Sequence, residues 1–318
     1  MTIDNRLLYK KDHCWQYDIR LSNKEKDLLD SNLTEEQASN LSVKDFSYRF
    51  VDKNDKEMCK KIKEFIERHE WLGKLSLYPT HRFVAEYNGV LAGVVVMDQP
   101  NVFSKLLGSE TKKIERLISR GACISWSPKG LASSLIMFAI RWMVGNTRYR
   151  LFTAYSDVEA KELGTIYQAC NFNYLGKGSG TSYMFLDPEN NGKGWFSDRN
   201  FRSRSAYKRY AKELGIQWKK EWQGAKNNSL LDWESGKTKE RSGSETILWE
   251  NMPAEIASRL KEAAKNHQAK CVKRRVPSKH KYCYILGANK KETNKLRSLF
   301  NKINPDKVGL KYPKLRGE

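Results

Sequence analysis

A chain of 318 residues with 39% hydrophobic content has room for two domains, or for one domain with a large extension, and enough apolar material for a globular core. Its formal net charge of +21 is gathered at one end: residues 198–318 hold 30 of the 58 Lys and Arg but only 13 of the 37 Asp and Glu, leaving residues 1–197 near neutral. No apolar run approaches the ~20 residues of a membrane span, the opening MTIDNRLLYKK lacks a signal peptide's apolar stretch, and the six scattered cysteines contain no CxxC pair, so a cytosolic protein without a disulfide framework is expected.

In chain order, residues 1–50 are polar and weakly patterned, with a first strand expected within 41–50. KEMCKKIKEFIERH (56–69) sets Met58, Ile62, Phe65 and Ile66 at helical spacing. FVAEY (83–87) and VLAGVVVM (90–97) flank Asn88-Gly89, which predicts a hairpin because this tight turn needs positive φ at both central positions. Residues 111–118 read as a short helix or extended link carrying Arg116. ACISWS (122–127) reads as a strand leading through Pro128 and Gly130 into the apolar helix LASSLIMFAIRWMV (131–144). RLFTAYS (150–156) is a further strand, ELGTIYQACNF (162–172) a further helix, and NYLGKGS with TSYMFLD a closing antiparallel pair. This order predicts an α/β domain over 51–197, a mixed sheet with flanking helices and right-handed crossovers.

From 198 onward a basic, α-rich region is expected. RNFRSRSAYKRYAKELGIQWKKEW (199–222) has helical periodicity, residues 224–244 read as a linker or mobile loop, and AEIASRLKEAAKNH, KYCYILG and KKETNKLRSLFNKI read as helix, strand and helix. Three divisions follow: 1–50 without an assigned role, 51–197 as the α/β domain and 198–318 as the basic region. A near-neutral body joined to a strongly basic part points to a polyanionic partner, nucleic acid first and a membrane surface second, with a plain basic protein as the alternative. Arg199, Arg202, Arg204, Lys208, Arg209 and Lys212 are the candidate phosphate contacts, interleaved with Phe201, Tyr207, Tyr210, Trp218 and Trp222, which pack or stack.

Two stretches carry candidate chemistry. In SWSPKGLASSL (125–135) a strand enters a glycine turn and a helix start, presenting backbone N–H groups and the positive end of a dipole through Ser127, Gly130, Ala132 and Ser133, which suits a phosphate. In YSDVEAKELGTIYQACNFNYLGKGSG (155–180) Asp157 ends a strand and Tyr167 follows on the next helix. His267-x3-Cys271 and His280-x2-Cys283 have the spacing of a structural zinc site, against which Cys283 alternates with tyrosines as a strand's core residue does. There is no HExxH, Walker loop or serine nucleophile elbow.

AYSDVEAKELGTIYQACNFNYLG resembles the signature of the Mom family, the phage DNA-modifying branch of the GNAT superfamily, through Tyr155, Asp157, Gly164, Thr165, Ile166, Tyr167, Gln168, Ala169, Asn171 and Tyr174. His69-Glu70-Trp71-Leu72-Gly73-Lys74 and Ile114-Glu115-Arg116-Leu117 resemble two further family segments, in the right order. The chain departs from the pattern in three places. Glu162-Leu163 replaces a histidine–glycine pair, Glu70 stands where an aromatic usually does, and Ser127 stands where GNAT proteins carry an Arg or Gln before the pyrophosphate turn. The resemblance spans about residues 60–186 and leaves out the basic C-terminal part.

The resemblance implies a GNAT-like mixed sheet and a transferase that adds a carbamoylmethyl (acetamido) group to the exocyclic amine of adenine in DNA, double-stranded by expectation, protecting phage DNA from restriction in the host cytoplasm. Acetyl-CoA or another acyl or amino-acid donor would lie at Ser127, Gly130, Ala132 and Ser133; whether a metal is needed stays open. His69, Arg116, Asp157 and Tyr167 are the residues it marks as essential. Asp157 would take the proton of the amine, a poor nucleophile with a delocalised lone pair. Tyr167 would stack on the base or protonate a leaving group, His69 would be a second acid–base group or metal ligand, and Arg116 would grip an anionic group of the donor. Each has a plainer reading: Asp157 as a helix cap, Tyr167 as a core residue, His69 as a satisfied histidine and Arg116 as an ion-pair partner. Two other functions stay open, a CoA-dependent N-acetyltransferase acting on a protein, small molecule or RNA, and a non-catalytic nucleic-acid-binding protein.

Overall fold

Asn88 and Gly89 take φ values of 46° and 80°, the left-handed turn expected of that pair, and close a hairpin of Pro79–Tyr87 and Val90–Asp98. That hairpin is the centre of one half of a seven-stranded sheet. The computed structural model describes residues 14–76, 79–100, 102–178, 182–189, 194–225, 229–231, 238–240 and 245–314. It divides into two units, residues 1–179 with 278–318, and residues 180–277.

The first unit contains helix α1 (Trp15–Asp30), strand β1 (Ser47–Val51), helix α2 (Lys56–His69), the hairpin strands β2 (Pro79–Tyr87) and β3 (Val90–Asp98), β4 (Glu115–Cys123), α3 (Leu131–Asn146), β5 (Leu151–Ser156), the short helix α4 (Thr165–Ala169) and β6 (Asn173–Lys177). The second contains β7 (Ser182–Leu186), β8 (Phe196–Ser197), α5 (Arg204–Glu213), α6 (Ala254–Lys270) and β9 (Val272–Val276). The chain then returns to the first unit with β10 (His280–Ile285) and α7 (Lys290–Ile303).

The sheet order is β1-β2-β3-β4-β5-β10-β6, antiparallel throughout except for the parallel pair β4 and β5. This is the mixed α/β sheet expected from the order of elements. Helix α2, capped by the Asp55 side chain accepting from the Met58 amide, buries Ile62, Phe65, Ile66 and His69. Helix α3 buries Leu131, Leu135, Ile136, Ala139, Ile140, Met143 and Val144. These stripes pack with Phe83, Val94, Val96 and Phe152 of the strands into one core, and burial of such side chains contributes about 1.5–3 kcal/mol each.

Several expectations are revised. The chain does not divide at 198, because β10 pairs antiparallel with β5 (His280 with Ser156 through Ile285 with Leu151) and also with β6, so residues 278–318 complete the first unit. The expected closing pair does not form: β6 lies in the large sheet, whereas β7 lies between β9 and β8 in a separate three-stranded sheet. Arg116 lies in β4 itself, and the segment 1–50 contains helix α1. Of the expected linker 224–244, Gln223–Ala225 pairs with Glu245–Ile247 and Ser229–Leu231 pairs with Thr238–Glu240; residues 226–228, 232–237 and 241–244 lie outside the described residues. In the second unit α5 and α6 share a core of Ala206, Tyr207, Tyr210, Ala211, Trp222 and Leu260. Among the described residues no helix is long and apolar enough to cross a membrane.

A chain ending at residue 277 would lack the fully buried Tyr282, Cys283 and Ile285 of β10. Core truncations cost ~2–5 kcal/mol each, against a typical total stability of ~5–15 kcal/mol. The expected outcome is loss of the cooperative thermal transition of the first unit, checked by circular dichroism and limited proteolysis beside the full chain.

Candidate functional site

Strands β4 and β5 are parallel neighbours over only four pairs, from Glu115 with Leu151 to Ile118 with Ala154. Beyond these, β4 stays bonded to β3 as far as Cys123, and β5 stays bonded to β10 as far as Ser156. The parted ends, with the start of α3, line a cavity of about 650 Å³, within the usual range for small-molecule sites. Helix α1 contributes Gln16, Tyr17 and Arg20 to its wall, and the segment after α2 contributes Glu70, Trp71 and Leu72.

Asp157 and Tyr167 both line this cavity. Asp157 follows the last residue of β5; its Oδ2 lies 2.9 Å from Lys279 Nζ and its Oδ1 accepts from the Glu159 amide at 3.0 Å. Its own amide donates to Glu162 Oε2 at 3.0 Å. Tyr167 sits on α4, with its ring centroid 5.3 Å from both Phe172 and Tyr282. Burial, then Glu162, Cys170 and Glu70, push its hydroxyl well above the usual range, so it stays protonated.

The rest of the signature segment builds the turn that presents these two. Gly164 has a φ of 67°, and a Cβ there would lie 2.5 Å from the Tyr282 ring, so only glycine fits. The Leu163 carbonyl accepts from both Gln168 Nε2 at 2.8 Å and the Tyr282 hydroxyl.

His69 and Arg116 are placed elsewhere. His69 is 5% exposed, with Nδ1 3.0 Å from the Phe65 carbonyl and Nε2 3.1 Å from Asp27 Oδ1. Both ring nitrogens thus face acceptors, and the ring ties α2 to α1. Arg116 is 3% exposed; its guanidinium lies 3.6 Å from the Tyr149 ring centroid and donates to the Tyr149 hydroxyl and the Glu115 carbonyl. Neither lines the cavity.

At the start of α3, Gly130 has a φ of 91°, Ala132 faces the cavity, and the Ser133 hydroxyl turns back to the Gly130 carbonyl at 2.9 Å. Ser127 is buried, and its carbonyl accepts from Arg20 Nη2 at 2.5 Å while the Ser125 carbonyl accepts from Arg20 Nε at 2.7 Å. The N-terminus of this 16-residue helix is a fitting cradle for an anionic part of a donor. Ser127 itself supplies no cation; Arg20, from the unassigned N-terminal segment, brings one to the same turn.

Two further site residues went unassigned in the sequence. Glu70 is 7% exposed, with Oε2 accepting from the Leu72 amide at 3.1 Å. Burial pushes its carboxyl up to about 7, opposed by Arg120 and reinforced by Glu162. Glu162, partly accessible from the cavity, is likewise pushed up to about 7 by burial; the Asp157 amide opposes this and the Asp157 charge adds to it. The signal for both was on the page: each stands where the chain departs from the family pattern.

The zinc spacing does not assemble. His280 bonds through Nδ1 to the Tyr174 hydroxyl at 2.8 Å, and Cys283 is a buried core residue of β10. In the second unit Asp187, His267 and Cys271 converge, their ligand atoms within 4.8 Å of one another. His267 Nε2 lies 2.9 Å from Asp187 Oδ2, and its Nδ1 lies 2.8 Å from the Tyr210 hydroxyl. This is a hydrogen-bonded set, tighter than the roughly 3.3 Å separating two ligands that each lie ~2.0 Å from a tetrahedral zinc.

The basic stretch 199–222 forms a short 3-10 segment (Asp198–Arg202) and helix α5 in place of one long helix; Arg199, Arg202, Lys208, Arg209 and Lys212 are exposed and Arg204 is half-buried. Arg202 pairs with Asp198 at 3.0 Å, and Arg209 with Glu213 at 3.6 Å. Phe201, Tyr207, Tyr210 and Trp222 are buried in the unit's own clusters, so of the two roles open to them they pack.

A mixed sheet that parts between two parallel strands onto a carboxylate-lined cavity defines an α/β protein with a ligand-sized site. The chain belongs to the Mom protein family, whose model matches residues 59–228. No curated protein matches it in sequence. Solved structures similar to part of it include an N-acetyltransferase from Staphylococcus aureus Mu50, at TM-score 0.32 and 17% identity, covering 47% of this chain and 92% of that one. A putative acetyltransferase from Salmonella typhimurium with its cofactor acetyl-CoA has TM-score 0.32 and 15% identity, covering 47% and 88%. Arabidopsis thaliana NAA60 in complex with acetyl-CoA has TM-score 0.30 and 14% identity, covering 47% and 94%.

Asp27 is 1% exposed and accepts from His69, Arg68 and the Ser125 amide. Burial raises its carboxyl, but the hydrogen bonds from His69 and Ser125 outweigh that and hold it below the usual range. Asp27→Asn is expected to cost about 3 kcal/mol at neutral pH by leaving His69 and Arg68 unbalanced. The wild-type advantage is full above the unfolded pKa of about 3.9 and vanishes as pH falls through the lower folded value. Urea denaturation of both proteins across pH 3–7 checks this.

Proposed function

We propose that this protein transfers a small group, carbamoylmethyl by family resemblance, to the exocyclic amine of adenine in DNA, shielding phage DNA from host restriction. The observation that carries this reading is that Asp157 and Tyr167 line one cavity in a chain of the Mom family. A base must leave its stack to enter such a cavity, at a cost of a few kcal/mol. Within it Val94, Val95, Leu135 and Ile136 give an apolar wall, and Asp157, fixed by Lys279 and the Glu159 amide, is held where it can orient an amine.

Tyr167 keeps its proton and acts as a hydrogen-bond donor to the base or the donor group; its ring, packed on Phe172 and Tyr282, is anchored in the protein. An acyl or amino-acid donor would rest its anionic part against Gly130, Ala132 and Ser133 and supply the electrophilic carbon. The exposed cations Arg199, Arg202, Lys208, Arg209 and Lys212 supply the phosphate contacts that offset extrusion of the base.

Plasmid DNA from bacteria producing the protein is expected to contain a heavier deoxyadenosine by nucleoside mass spectrometry, absent with Asp157→Ala. An unmodified profile from soluble wild-type protein would sink the reading and turn attention to acetyl transfer onto RNA, protein or a small molecule. Replacing Lys208 and Lys212 together with alanine is expected to reduce the slope of log affinity against log salt for duplex DNA by about 2, at ~0.9 per lost phosphate contact. An unchanged slope would remove this helix from the interface.

A further inference from the structure

We infer that Glu70 and Glu162 share a proton across the cavity and act as the acid–base pair of the transfer, the ionised member accepting the proton of the substrate amine and the protonated member giving one to the leaving group. This rests on the transfer reading above and replaces Asp157 as the proton acceptor within it.

The two side chains reach one cavity from different elements, Glu70 from the end of α2 and Glu162 from the segment joining β5 to α4. Each is anchored by a backbone amide on Oε2, from Leu72 at 3.1 Å and from Asp157 at 3.0 Å. Tyr167 lines the same cavity, and the charges of both glutamates add to the effect of burial in raising its hydroxyl.

The other candidates are already committed. Both oxygens of Asp157 are engaged, by Lys279 and by the Glu159 amide. His69 and Arg116 face the core. Burial pushes up the Tyr155 and Tyr167 hydroxyls and the Cys123 thiol, the last to about 12, so all three keep their protons at neutral pH. Of the groups lining the cavity, Glu70 and Glu162 are pushed by burial up to about 7, where acid–base catalysis is most effective.

The charge of Glu162 raises the carboxyl of Glu70, and each glutamate meets a small set of further charges. Arg120 of β4 faces Glu70, while Asp157 and Lys279 face Glu162. Arg20 of α1 and Lys161 of the β5–α4 segment complete the charged wall. Two carboxylates in one poorly solvated site do not both ionise at once, so the proton belongs to the pair.

The step balances. The adenine N6–carbon bond forms as the bond from that carbon to the donor's leaving atom breaks, its electron pair leaving with a thiolate or alkoxide of an activated donor. The N6 proton passes to the ionised glutamate and the other glutamate's proton passes to the leaving atom. The pair ends with the single proton it began with, and no outside acid or base is consumed.

Two readouts test this. In cells, Glu162→Gln and Glu70→Gln are each expected to lower the yield of modified deoxyadenosine about 100-fold or more, the usual contribution of a positioned acid or base, with partial recovery in Glu162→Asp. Independently of any reaction, a carboxyl raised on folding binds more protons folded than unfolded between its two pKa values, so stability falls as pH rises toward 7. Each Gln variant is therefore expected to gain stability over wild type above pH 7, with the gain fading toward pH 5, in thermal or urea unfolding.

Wild-type modification that persists undiminished in the Gln variants overturns the pair while leaving the proposed function standing. Absence of modification with wild type removes the function and with it the catalytic role. Absence of a stability gain above pH 7 overturns the shared proton whatever the cells show.

Discussion

The parting of β4 from β5 after Ile118 and Ala154 is the constraint on which the site depends. Two parallel strands that stay bonded leave no room between them. Here β3 holds β4 on one side and β10 holds β5 on the other, so each strand can continue after they lose one another. Opening a sheet exposes backbone groups that must find other partners. Helix α1 fastens the segments around the opening: Arg20 donates to the Ser125 and Ser127 carbonyls, Asp27 accepts from the Ser125 amide, and Gln16 bridges the His69 carbonyl and the Trp71 amide. The cavity is thus as much a product of α1 as of the sheet.

Seen this way, the signature segment divides its labour. Gly164 lets the chain pass against the Tyr282 ring, and Gln168 ties α4 to Leu163, so most of the motif shapes a turn. Asp157 and Tyr167 are what that turn presents. The spacing between them reflects a strand end, a short segment closed by the Glu162 amide on the Asp157 carbonyl, and one helical turn. Tyr282 reaches this turn from β10, far along the chain, so the motif is incomplete without a residue no local reading would connect to it.

That distance also explains what was legible. The hairpin, α2, α3 and β5 follow from local turn chemistry and periodicity, and each forms where expected. The place of β10 is a matter of non-local pairing, which leaves no mark on KYCYILG itself. Helix α1 was hidden because its buried contacts are sparse and partly polar, Ile19 and Asp27 being its fully buried residues. At the site, residue type alone cannot say where a side chain points: His69 and Arg116 carry the right chemistry, yet both are spent on fastening α2 and on covering Tyr149. The aromatics of the basic helix were open to packing or stacking, and the core shared by α5 and α6 decided for packing.

The two glutamates fit one physical account. At each position burial outweighs what opposes it, Arg120 and backbone amides at Glu70, the Asp157 amide and Lys279 at Glu162. Two carboxylates facing one cavity hold one proton between them, which halves the charge to be buried and leaves the pair both donor and acceptor. Glu70 and Glu162 stand at two of the three places where the chain departs from the pattern it resembles, and the cavity, lined by both, is where these two departures meet.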